Sequence, residues 1–161
     1  MAISDVYTFK SGSVAIAATT ATPILSVIST AALRGWGVGI ELNIGVTAAV
    51  AGNSMLFQVC RPANTPTGTG PFGGNPEDFS APASVLQGYT TWSTAPTVGA
   101  ILWEKELPMT TGTAWPFYPP TGYEWGIPAI ANAAANAGLH VFVTASVATS
   151  TPVFIDLICS E

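Results

Sequence analysis

The chain has 161 residues, with four Lys or Arg, nine Asp or Glu and a net charge of −5. Charged residues make up 8% and hydrophobic ones 48%, where an ordinary globular chain is about a quarter charged; its surface must be built from Ala, Thr, Ser, Gly and Pro, which suits lasting contact with other protein. The four scattered cations exclude nucleic acid and anionic membrane surfaces as partners, and Gly, Thr and Asn break the apolar stretches short of membrane-spanning length.

Sixteen Gly and thirteen Pro are spread along the chain and disfavour long helices. The size fits a single domain over 1–161 with its own core. The first ten residues lack a basic n-region and an apolar h-region, so no signal peptide is expected.

Taken in order, residues 6–10, 14–18 and 24–28 predict short strands. The run RGWGVGIELN at 34–43 is the clearest signal. Trp36, Val38, Ile40, Leu42 and Ile44 alternate with Gly35, Gly37, Gly39, Glu41 and Asn43. Period two predicts a long strand with the Trp36–Leu42 set facing the core, and a glycine face that bends or receives a close neighbour. Gly52-Asn53 predicts a turn bringing 55–60 back onto that strand. In 55–60, Met55, Phe57 and Val59 oppose Leu56, Gln58 and Cys60.

Residues 61–87 are crowded with Gly and Pro, which predicts a long loop without regular pairing. Phe72 and Phe79 give it two apolar anchors, so it reads either as an interaction arm reaching beyond its domain or as a loop packed on its own domain. Further strands are predicted at 101–107, with Glu104 and Glu106 on one face and Lys105 on the other, and at 123–127, 139–146 and 153–160. Residues 129–137 (AIANAAANA) predict either one short helix or a small-residue loop. Eight to ten strands with at most one short helix place the chain in the all-β class, as an antiparallel, jelly-roll-like β-sandwich.

No pattern carries chemistry. The one histidine, His140, stands alone in a strand without nucleophile-elbow spacing, which favours a structural role. Cys60, Cys159 and His140 are too scattered for zinc, Glu77-Asp78 lacks a calcium-loop pattern, and Gly73-Gly74 lacks the residues of a phosphate loop. Glu104 and Glu106 form a carboxylate pair of the kind used in glycoside hydrolysis, although a solvated strand face explains them as well. The expectation is no enzyme, no cofactor and no metal. The two cysteines read as buried free thiols, with pairing between adjacent strands left open. Tyr89, Trp92, Trp115, Tyr118, Tyr123 and Trp125 fall in loops or at strand ends, where aromatic rings serve sugar stacking or subunit contact.

The segment Trp115-Pro116-Phe117-Tyr118-Pro119-Pro120-Thr121-Gly122, then Gly126-Ile127-Pro128-Ala129, resembles small structural proteins of tailed bacteriophages. So do the strand Gly138-Leu139-His140-Val141-Phe142-Val143-Thr144 and the ending Pro152-Val153-Phe154-Ile155-Asp156-Leu157 with Glu161. Tyr7-Thr8-Phe9 and the Trp36 strand are similar too. The resemblance implies a β-sandwich virion protein of the head decoration or cement type, made in the host cytoplasm. It implies a homotrimer whose partner is the major capsid protein or another virion protein. The alternative is a carbohydrate- or receptor-binding module of a phage tail or fibre.

Overall fold

The structure is a computed structural model. It describes residues 5–16, 19–30, 34–45, 52–78, 80–109, 112–128, 138–147 and 150–161. Within them the chain forms strands and no helix. The predicted element at 129–137 lies outside the described residues, as does Phe79.

Two antiparallel sheets pack face to face. One comprises β1 (Val6–Lys10), β2 (Val14–Ile16), β4 (Gly35–Ile44), β8 (Asn75–Pro76), β12 (Ala114–Phe117), β13 (Trp125–Ile127) and β15 (Thr151–Ser160). Its order is β12-β4-β15-β1-β8, with β13 also on β4 and β2 on β15. The other runs β11 (Val98–Pro108), β5 (Ser54–Pro62), β14 (Leu139–Ala145), β3 (Thr22–Ser29), β9 (Leu86–Tyr89), β7 (Phe72–Gly73). A small ribbon joins β6 (Thr67–Thr69) to β10 (Thr91–Thr94).

Alternation sets the inward faces. On β15, Val153, Ile155, Leu157 and Cys159 are buried, while Phe154, Asp156 and Ile158 face out. From the facing sheet come Met55, Phe57, Val59, Leu139, Val141 and Val143, all fully buried. Each such side chain contributes on the order of 1.5–3 kcal/mol by leaving water.

The strand at 35–44 corrects the sequence reading. Ile40, Leu42 and Ile44 are buried as expected, but Trp36 is 42% exposed and Val38 is only half-buried. The cause is a bulge. Leu157 pairs with Ile40 and Ile158 with Gly39, but Cys159 pairs with Gly37, so Val38 has no cross-strand partner. One extra residue turns every preceding side chain to the other face. Gly35 and Gly37 therefore point inward. A Cβ on Gly35 would lie 2.8 Å from Leu86, and one on Gly37 would lie 2.6 Å from Leu139. The glycines do receive close neighbours, but on two faces: Gly35 and Gly37 face the core, whereas Gly39, beyond the bulge, faces outward, where a Cβ would lie 2.6 Å from Tyr118.

Two further expectations are corrected. The 52–53 turn does not fold β5 back onto β4; the chain crosses between sheets there, and β5 pairs with β11 and β14. The 61–87 segment is not free of pairing either. Phe72 sits opposite Gly88 on β9, and Asn75 opposite Thr8 on β1. The segment thus extends one sheet with β7 and the other with β8. Phe72 touches Phe9, ring centroids 6.3 Å apart, and Gly74 crosses so closely that a Cβ there would lie 2.7 Å from Tyr7. Phe72 is an anchor within its own domain.

Candidate functional site

The side of the sandwich away from β7 and β8 is built differently. Here the edge strands β11 and β12, consecutive in the chain and joined at one end through 109–113, face each other across the two sheets, with no strand bridging them along their length among the described residues. Inward alternation brings Trp103 and Lys105 of β11 toward Trp115 and Phe117 of β12. Trp103 stacks on Phe117 at 5.1 Å, and Trp125 of β13 lies 6.0 Å from both rings. The Lys105 ammonium sits 4.0 Å over the Trp115 ring.

This aromatic wall floors an open cleft of about 320 Å³. Leu102 and Trp103 form one bank, and Phe117, Pro119, Pro120, Tyr123 and Trp125 the other. Pro119 and Pro120 stiffen the connection that carries Tyr123, and a backbone bond from the Tyr123 amide to the Pro120 carbonyl closes a turn there. Tyr123 is 76% exposed. Among the described residues, five of the seven exposed large hydrophobic ones, Ile101, Leu102, Trp115, Tyr118 and Tyr123, lie on β11 or on β12 and the segment after it. Ile101, Leu102, Trp115 and Tyr123 are thus concentrated on one side, whereas Tyr118 turns onto the outer face of the first sheet.

The sequence candidates divide. Trp115 and Tyr123 are exposed on this side, and Tyr118 is exposed on the outer face of the first sheet. Trp125 is buried, 7% exposed, and belongs to the aromatic wall and core. Trp92 is half-buried and donates from Nε1 to Ser26 Oγ at 3.2 Å. Tyr89 is half-buried, donates to Gln87 Oε1 at 2.9 Å, and lies against Gly68. Those three rings brace the chain's own fold. Trp103, Phe117, Ile101 and Leu102 were not singled out from the sequence. The signal for Trp103 was present in the alternation of 101–107, but its partner Phe117 lies on the other sheet.

Across the outer face of the first sheet, Lys10, Asp156 and Glu41 are neighbours on β1, β15 and β4. Lys10 Nζ lies 3.3 Å from Asp156. Tyr118 donates to Glu41 at 2.8 Å, and Thr8 donates to Glu77. The bond to Glu41 raises the Tyr118 phenol above its ordinary value, because ionisation would set two anions together. Among the described residues no three His, Cys, Asp or Glu side chains are grouped to hold a metal.

His140 is fully buried, with Nδ1 2.7 Å from Ser26 Oγ. The same hydroxyl accepts from Trp92 and shares a hydrogen bond with Nδ1. The Ser26 side chain is itself buried. Glu104 accepts from Gln58 at 3.2 Å and Glu106 from Ser54, tying both to the neighbouring strand. Cys60 and Cys159 are buried free thiols, both raised above the ordinary thiol value by loss of solvent.

No protein-family model matches the chain, and no curated protein or solved structure is significantly similar to it.

Proposed function

We propose that the chain is a non-enzymatic structural subunit that docks through its β11–β12 side onto other protein, as a capsid decoration or cement protein does on a viral shell. The supporting observation is the aromatic cleft with Ile101, Leu102 and Tyr123 exposed around it, in a chain with only thirteen charged residues. Aromatic anchors in a desolvated centre carry most of the energy of protein interfaces. The virion setting comes from the resemblance of the 115–129, 138–144 and 152–157 segments. Alternation of β3, β4 and β5 between the two sheets, repeated by β11, β12, β14 and β15, supports the jelly-roll form of that reading.

The contact is made by side chains rather than by added strands. Glu104, Lys105 and Glu106 occupy the middle of the unpaired β11 edge, and charges there discourage uncontrolled strand pairing. A sugar platform is the less favoured reading. The rings that stack do so on one another, and Lys105 covers one face of Trp115. Many such subunits on a lattice, including homotrimers, gain avidity from repetition.

The test is the chain's position in an electron-microscopy map of the particle that carries it. The proposal expects sandwich-shaped density on a protein shell with Leu102 and Tyr123 at the contact. Density at a tail tip, with that side turned to solvent, favours receptor binding instead.

A further inference from the structure

The chain has two arginines, Arg34 and Arg61, 27 positions apart in sequence, and the fold brings both to one cavity of about 230 Å³ at an end of the sandwich. Trp36, Gly126, Ile127 and Pro128 complete its lining. Trp36 is there because of the β4 bulge. Its ring lies across Gly126, its cross-strand partner, and stays 42% exposed at the rim. Arg34 precedes it by two residues and is exposed.

Arg61 is half-buried and donates to the carbonyls of Gly126 and Gly138. Those two bonds hold its guanidinium in place but do not neutralise it. Burial lowers its pKa, and no carboxylate opposes that shift. The one ion pair among the described residues joins Lys10 to Asp156, away from this cavity. Every Asp and Glu of the chain is among the described residues, so no counter-charge for the arginines comes from the rest. Two cations thus line one cavity with no carboxylate at ion-pair distance, while Glu124 lines the adjoining cavity that shares Trp36, in a protein whose net charge is −5. A partly desolvated cation is costly unless paired.

We infer that this cavity is a carboxylate-binding site that takes an acidic side chain of a protein partner. Guanidinium forks match a planar carboxylate in paired hydrogen bonds. The indole of Trp36 with Ile127 and Pro128 gives the aliphatic stem of a glutamate an apolar wall. The site is independent of the aromatic cleft and of the virion reading.

The test uses the full chain labelled with ¹⁵N, whose two arginines give two Nε–H resonances. The probes are acetyl-Ala-Glu-Ala-amide, its Gln counterpart and inorganic phosphate. The Glu peptide should move both arginine resonances and the Trp36 indole resonance together, saturating at millimolar concentration and weakening with salt. The Gln peptide should move none of them. Arg34→Gln, an exposed change that leaves the fold intact, should weaken binding about tenfold. Arg61→Gln loses two carbonyl bonds and is a poorer test. Failure of the two resonances to move together, equal binding of the Gln peptide, or unchanged affinity in Arg34→Gln overturns the inference. Tighter binding of phosphate than of the Glu peptide also overturns it, in favour of a free oxyanion.

Discussion

The two open flanks of a β-sandwich pose the same problem, and this chain solves them differently. On one flank, 72–76 runs from sheet to sheet, with Phe72 on Phe9 and Gly74 over Tyr7. On the other flank, β11 and β12 are joined at one end through 109–113 and along their length meet through side chains, and Leu102 and Tyr123 stay in solvent. The closed flank belongs to the fold, and under the proposed function the open flank belongs to a partner. Substitutions on the first should change stability, and those on the second should change association.

The largest effect tests the core that both flanks share. Ile40→Asp should unfold the subunit, because an unpaired carboxylate in that core costs several kcal/mol. Trp36→Asp, on the same strand but before the bulge, should leave it folded. Thermal melts of both variants check this. If Trp36→Asp unfolds and Ile40→Asp does not, the bulge has been assigned to the wrong place.

Next in size is the contrast between flanks. Phe72→Ala should cost about 2–3 kcal/mol, somewhat less than a fully buried Phe. Tyr123→Ala should fall within about 0.5 kcal/mol of the parent and yet reduce association. Urea unfolding measures the first difference and particle binding the second. Equal destabilisation by the two would erase the distinction between flanks.

How far the sequence reveals this depends on which residues set each feature. The strands at 55–60, 139–146 and 153–160 follow from alternation alone, since each keeps one face inward along its length. The 35–44 strand does not, because its bulge arises from pairing with β15, and nothing in RGWGVGIELN marks Val38 as unpaired. In 61–87, the glycines that suggest an unpaired loop include Gly74, which is needed where the chain crosses Tyr7 and Phe9. Trp115, Tyr118 and Tyr123 are visible as candidates by residue type. Their cleft is not, because it forms only when Trp103 of one sheet meets Phe117 of the other. The meeting of Arg34 with Arg61 is likewise a product of tertiary structure.

A third prediction sharpens the comparison by showing that the open flank does not open the core. Burial raises both Cys60 and Cys159. The unfolded thiols ionise near pH 8.5 while the folded ones stay protonated. Their contribution to stability is therefore complete below that pH and is lost as pH rises above it, by up to about 1.4 kcal/mol per pH unit for each thiol. Urea midpoints from pH 7.5 to 10 should fall, and the fall should shrink in Cys159→Ala. Neither thiol should react with a disulfide reagent before unfolding; rapid labelling of the native chain would show the core to be accessible.

The smallest effect concerns Lys105. Lys105→Met removes the cation over Trp115 and should cost no more than about 1 kcal/mol, since the Trp103–Phe117 stack remains. A larger loss in a urea titration would make Lys105 the main tie across the open flank.

The most direct test of the division between flanks is amide hydrogen exchange on the isolated subunit and on its assembled form. Assembly should slow exchange along 98–108 and 118–124 and leave 72–76 unchanged. New protection at 72–76, with 98–108 exchanging as before, would contradict the account.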